Sequence, residues 1–199
     1  MSGSAFPILT FNEGDLAPTL GYVFDPGCLD PYESLVCLLW KFAWINRLPG
    51  HLVVNHAAKS LVDPYDGIPA SLVEINVPRI ASSLHVSHRT LRMAIRRADS
   101  CRCWCPNLQF CPRCMARGYH SVVHQFGHQQ RCPVHGCLLE TTCRSCGAAS
   151  AYRIDAKVIG SPFRCPQCGS HYSRSSTWIL GRARLPQQGR TAITRSFFS

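Results

Sequence analysis

Four short segments decide the reading of this chain: Cys111-Pro-Arg-Cys114, Cys132-Pro-Val-His135, Cys143-Arg-Ser-Cys146 and Cys165-Pro-Gln-Cys168. In each, two residues separate a pair of soft donors. A tight turn with that spacing sets both side chains on one ion. A structural zinc takes four Cys or His ligands in a closed tetrahedron. Eight donors in four pairs therefore predict two zinc ions. Taken in order, the first set is Cys111, Cys114, Cys132 and His135, and the second is Cys143, Cys146, Cys165 and Cys168. The loops inside the sets, 115–131 and 147–164, have the length usual in zinc modules. An interleaved arrangement, with the first and third pairs sharing an ion, stays open at this point. So does the plainer reading of buried or disulfide-bonded cysteines, against which the even spacing argues.

Outward from this stretch, 199 residues leave room for one or two small domains. A zinc region of this size buries little apolar surface, so metal binding is expected to supply much of its folding energy. The first residues show no basic segment followed by an apolar core, and no apolar run reaches the length of a membrane span. The expectation is a bacterial cytoplasmic protein without a membrane partner, its thiolates held by metal in a reducing compartment.

Charge divides the chain. Residues 1–75 carry three Lys/Arg against eight Asp/Glu, and residues 76–199 carry eighteen against three. Seventeen of those eighteen are Arg, the better residue for forked contacts to phosphate and base edges. The basic half is expected to meet DNA or RNA, and the acidic half a protein. An Arg-rich surface that only follows genome composition is the competing account.

Residues 1–25 read as an extended arm. Phe6, Ile8, Leu9 and Phe11 are apolar, while Pro7, Gly14, Pro18 and Gly21 interrupt any helix. Such an arm either packs on its own domain or docks on a partner. A helix is expected to start at Asp30 as N-cap, with Pro31 in the first turn and Glu33 reaching back, and to end near Arg47. Leu35, Leu38, Leu39, Phe42 and Ile45 form its apolar stripe, with Trp40 and Trp44 alongside. Core packing is the favoured role for these aromatics. A second short helix is expected within 51–61.

Residues 76–97 read as a helix-turn-helix-like unit. Asn76 and Ser87 cap its two helices, and Ile80, Ala81, Leu84, Leu91 and Ile95 face inward. His88, Arg89, Arg92, Arg96 and Arg97 are exposed candidates for nucleic-acid contact. A two-helix unit used only for packing is the alternative. Cys101, Cys103 and Cys105 are badly spaced for one site and read as linker thiols. His120, His124 and His128 recur every four residues, and a partly exposed structural face is favoured over a third metal site. After Cys168 the chain turns Ser-, Gln- and Arg-rich, and 176–199 read as a basic flexible tail. No Walker loop, His-Glu-x-x-His run or catalytic carboxylate pair is visible, so no enzyme activity is expected.

The fold expected is mainly α with small zinc-ribbon β elements: an arm (1–25), a helical domain with the helix-turn-helix-like unit (26–100), a tandem zinc-finger domain (101–175) and the tail (176–199).

Three segments together resemble the TniQ family of transposition proteins. They are Pro31-Tyr-Glu33-Ser34-Leu35 running into Trp40 and Ala43-Trp-Ile-Asn46, the two-helix segment 78–97, and the run Phe110-Cys111-Pro-Arg-Cys114, Gly118-Tyr119-His120, Cys132-Pro-Val-His135-Gly136, Leu139 and Cys143-Arg-Ser-Cys146-Gly147. The last is the most specific. Arg144 stands where the family has Pro, and Phe126 where Trp is common. The resemblance covers about residues 26–170. It implies a non-catalytic adaptor that links a target-site recogniser, such as a CRISPR RNA-guided effector complex, to the AAA+ ATPase that recruits the transposase. The short stretch after the last ligand favours the linking role. On that reading Phe6, Ile8, Leu9, Phe11, Asp30 and Glu33 would contact the ATPase, and the basic zinc half would face nucleic acid. A free-standing DNA-binding regulator is the alternative.

Overall fold

A computed structural model describes residues 21–95, 104–173 and 184–199. The fold is mainly helical, with one small two-stranded sheet and two Cys-rich clusters compatible with zinc modules. The helices are α1 (Leu35–Ile45), α2 (Gly50–Ala57), α3 (Val77–Ser83), α4 (His88–Ala94), α5 (Pro112–Met115), α6 (Ala156–Ile159) and α7 (Gln187–Phe198). Strands β1 (Ile68–Pro69) and β2 (Arg153–Ile154) pair antiparallel, Ile68 opposite Ile154.

Helix α1 is the centre of the main core. Nine of its residues, Leu35 to Ala43, are buried, so it is covered on every side rather than along one stripe. Trp40 is fully buried and its indole N–H donates to Val158 O at 2.7 Å, whereas Trp44 is half exposed. The helix starts one turn later than expected. Ser34, not Asp30, is its N-cap, accepting from Cys37 N. The reason lies far away in sequence. Ser34 N donates to His120 O, and Val122 N donates to Tyr32 O, so residues 32–34 are held against 120–122. Tyr32 takes a left-handed conformation to turn into this pairing. Glu33 does reach back to Asp30 N, at 2.8 Å. At the other end, Asn46 caps α1 and its side-chain amide both donates to and accepts from the Val23 backbone, as a strand partner would.

Helix α2 abuts α6, deep in the zinc half. A Cβ at Gly50 would lie 2.1 Å from Ala156 O, so only glycine permits this approach. Helices α3 and α4 pack on each other across the turn 84–87, where His85 is left-handed. Asn76 accepts from Arg79 N and Ser87 from Thr90 N, which are the two caps expected. Ile80, Leu84 and Leu91 are fully buried.

Apolar side chains gather into two clusters. The larger joins α1 to α4 with Ile154, Val158, Ile159, Phe163, Tyr172 and the thiols Cys143 and Cys165. The smaller surrounds Cys111, Cys114 and Cys132 with Tyr119, Val122, Val123, Phe126, Leu185 and Ile193. Residues 184–199 are therefore not a flexible tail. Helix α7 seats Ile193 in the smaller cluster, stacks Phe197 on Tyr32 at 4.2 Å, and brings Gly189 against Val134. The preceding Leu185 N donates to the Asp30 carboxylate, and Arg184 donates to Gly27 O.

Candidate metal centres

Three of the four donor pairs are built the same way. In each, the amide of the first ligand donates to the carbonyl five residues on, and a glycine amide donates back: Cys132 N to Cys137 O with Gly136 N to Cys132 O, Cys143 N to Ala148 O with Gly147 N to Cys143 O, and Cys165 N to Ser170 O with Gly169 N to Cys165 O. Gly136, Gly147 and Gly169 have φ of 65°, 74° and 73°. That left-handed conformation is what closes the turn, and glycine adopts it without strain. Flanking bridges Arg131 to Leu138, Thr142 to Ala149 and Arg164 to His171 complete the repeat. The first pair differs. Cys111 is the N-cap of α5, and Cys114 lies on the helix itself.

These turns bring the eight donors into two groups, Cys111, Cys114, Cys132 and His135, and Cys143, Cys146, Cys165 and Cys168, with all donor atoms of a group within 4.8 Å of one another. The sequential pairing holds and the interleaved one does not. All described cysteines are free thiols. A zinc–sulfur bond of about 2.3 Å implies a sulfur–sulfur edge of about 3.8 Å in a regular tetrahedron. Observed edges are 3.6 Å for Cys114–Cys132, and 3.7 Å for both Cys143–Cys168 and Cys146–Cys165. The His135 Nδ1 lies 3.5, 3.3 and 3.6 Å from the thiols of Cys111, Cys114 and Cys132. Both sets thus have the shape of a closed four-coordinate site and are consistent with two zinc ions. In such a site zinc serves as a cross-link.

The donors of the first set interact strongly with one another. Hydrogen bonds from neighbouring thiols hold Cys111 and Cys132 below the usual thiol range, while Cys114 is pushed well above it by the same neighbours. Contacts to Cys111 and Cys132 raise the His135 imidazole to about 9. The four groups compete for protons that a divalent cation would displace.

Between the two clusters runs a buried polar seam. His120 is fully buried, its Nδ1 2.6 Å from Ser34 Oγ and its Nε2 2.9 Å from Gln109 O. Burial presses its pKa down to about 3. His124 is equally buried and pressed down to about 4, with Nε2 3.7 Å from Cys132 Sγ. These two histidines are thus interior groups rather than a partly exposed face, and they sit on an extended segment and a 3-10 turn (Val122–Gln125), not on one helix. His120 is satisfied by Ser34 and Gln109, distant in sequence, which no local pattern announces.

The other expected site residues fall as follows. His88, Arg89 and Arg92 are exposed on α4. Arg96, Arg97, Cys101 and Cys103, and the arm residues Phe6, Ile8, Leu9 and Phe11, lie outside the described residues. Glu33 is buried and paired with Lys41 Nζ at 2.6 Å, and Asp30 is taken by Leu185 N. These two carboxylates hold the fold together rather than forming a free acidic face. Arg131 and Arg164 each donate to the glycine carbonyl of their own turn, and Arg144 forks onto Glu140 at 2.7 and 2.5 Å. Cys137, beside the first set, carries no ligand-pair spacing, and sequence pattern alone passes over it. Among the described residues no helix is long and apolar enough to cross a membrane. No family model matches the chain, and no curated protein matches it.

Proposed function

We propose that this chain is a non-catalytic adaptor in DNA transposition, joining a target-site recogniser to an AAA+ ATPase as the TniQ proteins it resembles do. The observation that supports this reading best is the closed character of both donor sets. Four protein ligands apiece leave no position for a substrate or an activated water, so zinc would serve as scaffold. Around that scaffold, Arg79, Arg89, Arg92 and Arg113 are exposed, which suits contact with phosphates. The residues of the family's opening helix have structural work here: Glu33 neutralises Lys41, Ser34 caps α1, and Asn46 holds Val23. Partner contact is therefore assigned to the arm, Phe6 to Phe11, rather than to Asp30 and Glu33.

A free-standing DNA-binding regulator is the second reading, favoured by the exposed His88, Arg89 and Arg92 on the second helix of a capped pair. Two measurements on the full chain separate them. The adaptor should retain a purified AAA+ transposition ATPase in a pulldown and release it when residues 1–20 are deleted. It should bind nucleic acid weakly, and Arg89→Ala with Arg92→Ala should lower the salt slope by about one for each phosphate no longer neutralised. Nanomolar, sequence-selective DNA binding at physiological salt, with no ATPase retained, would establish the regulator instead.

A further inference from the structure

A fourth thiol, and so a fifth donor, stands beside the first donor set. Cys137 follows Gly136 on the turn that begins at Cys132, and its Sγ lies 3.4 Å from Cys111 Sγ. Two thiolates sharing one zinc are separated by about 3.8 Å, a spacing Cys137 meets toward Cys111; it is not among the four donors that all lie within 4.8 Å of one another, so reaching the ion requires its side chain to rotate. Its position is fixed by the turn, because Cys137 O accepts from Cys132 N at 2.8 Å. The corresponding position is Ala148 in the second turn and Ser170 in the third, each accepting from the first ligand's amide as Cys137 does.

Burial adds a second, independent observation. Cys111, Cys114 and Cys132 are buried, and the fully buried His124 ring aims its Nε2 at Cys132. His135 alone among the four donors is partly exposed, and so is Cys137 two residues on. The solvent-facing edge of the centre thus carries two alternative donors on either side of one glycine. The second centre has no such spare thiol among the described residues.

We infer that Cys137 is a reserve ligand for the first centre, able to replace His135 and convert a site of three cysteines and one histidine into one of four cysteines. In the exchange one metal–nitrogen bond breaks and one metal–sulfur bond forms. The Cys137 thiol proton passes to solvent, and the imidazole leaves neutral. No electrons are transferred. A softer cation such as cadmium favours the all-thiolate form more than zinc does.

The test uses the full chain loaded with cobalt(II), with the second centre as internal reference for folding. His135→Ala is expected to hold two ions, with stronger thiolate-to-metal charge-transfer absorption than wild type. Cys137→Ser is expected to hold two ions, and the double variant one. If His135→Ala holds one ion, or the double variant holds two, the inference is overturned. Cadmium-113 NMR supplies a readout without the His135 change. Wild type should give two resonances in the four-sulfur range, and Cys137→Ser should move one of them to the three-sulfur, one-nitrogen range. Identical spectra for the two proteins would overturn it as well.

Discussion

The two metal centres share a turn design but stand in different surroundings. In the first, three thiols are buried, the ligands sit inside their own apolar cluster, and α7 covers them from the far end of the chain. In the second, Cys146 and Cys168 are exposed, and only Cys143 and Cys165 reach the main core. Burial therefore ties the first centre's ligands to packing on most sides, whereas the second is anchored through half of its donors. Equal ligand number does not mean equal coupling to the fold.

The largest expected effect breaks this comparison most directly. Cys114→Ser and Cys146→Ser should each cost one zinc, read by elemental analysis. Because zinc binding and folding are linked, each should destabilise its region by several kcal/mol in denaturant titration. Cys114→Ser should cost more, since it also leaves a polar hydroxyl in an apolar cluster. Equal losses would show that surroundings do not matter. Next, Ile193→Ala should cost about 2–5 kcal/mol by removing a fully buried side chain. Its effect should be confined to the first centre, so that hydrogen exchange rises around Val122 and Val134 and not around Phe163. A uniform rise would mean the two clusters unfold as one.

Acid should sharpen the contrast further. His120 has a folded pKa of about 3 against an ordinary value of 6.5, so the unfolded chain binds the extra proton. Its contribution is intact above about pH 6.5 and falls as pH drops, at about 1.4 kcal/mol per unit and thus about 2 kcal/mol by pH 5. His120→Gln should flatten the pH dependence of the unfolding free energy between pH 6.5 and 5, and an unchanged slope would argue against a buried neutral imidazole. The smallest effect belongs to the exposed Arg144–Glu140 pair beside the second centre. Glu140→Ala should change stability by about 0.5 kcal/mol or less.

How much of this is legible in the sequence follows from how local each device is. A donor pair with two intervening residues needs only its own turn or helix start, and in three of the four pairs a trailing glycine marks the turn, so eight ligands can be read directly. The caps Asn76 and Ser87 are equally local. The true start of α1 is hidden because Tyr32 to Ser34 are committed to residues 120–122, a pairing no nearby pattern reports. Helix α7 is hidden for a related reason. It has few apolar residues, with Gly189 near its start, and only the distant surface formed by Tyr32 and Val134 gives Ile193 and Phe197 somewhere to pack. Acidic residues in the front half suggest a surface for a partner, yet Glu33 and Asp30 are satisfied within the fold.

The attachment of α7 to the first centre has a consequence during synthesis. The ribosome makes a chain from its N-terminus at roughly 5–20 residues per second. Residues 111–135 emerge well before α7, so all four first-centre ligands are available to an ion while their cover is still untranslated. The zinc turns must hold themselves together through that interval, with the faces of Tyr32 and Val134 that α7 covers left open until residues 184–198 clear the exit tunnel. A pause or a truncation in that window would leave an intermediate whose smaller cluster lacks Leu185 and Ile193 and whose apolar face is open.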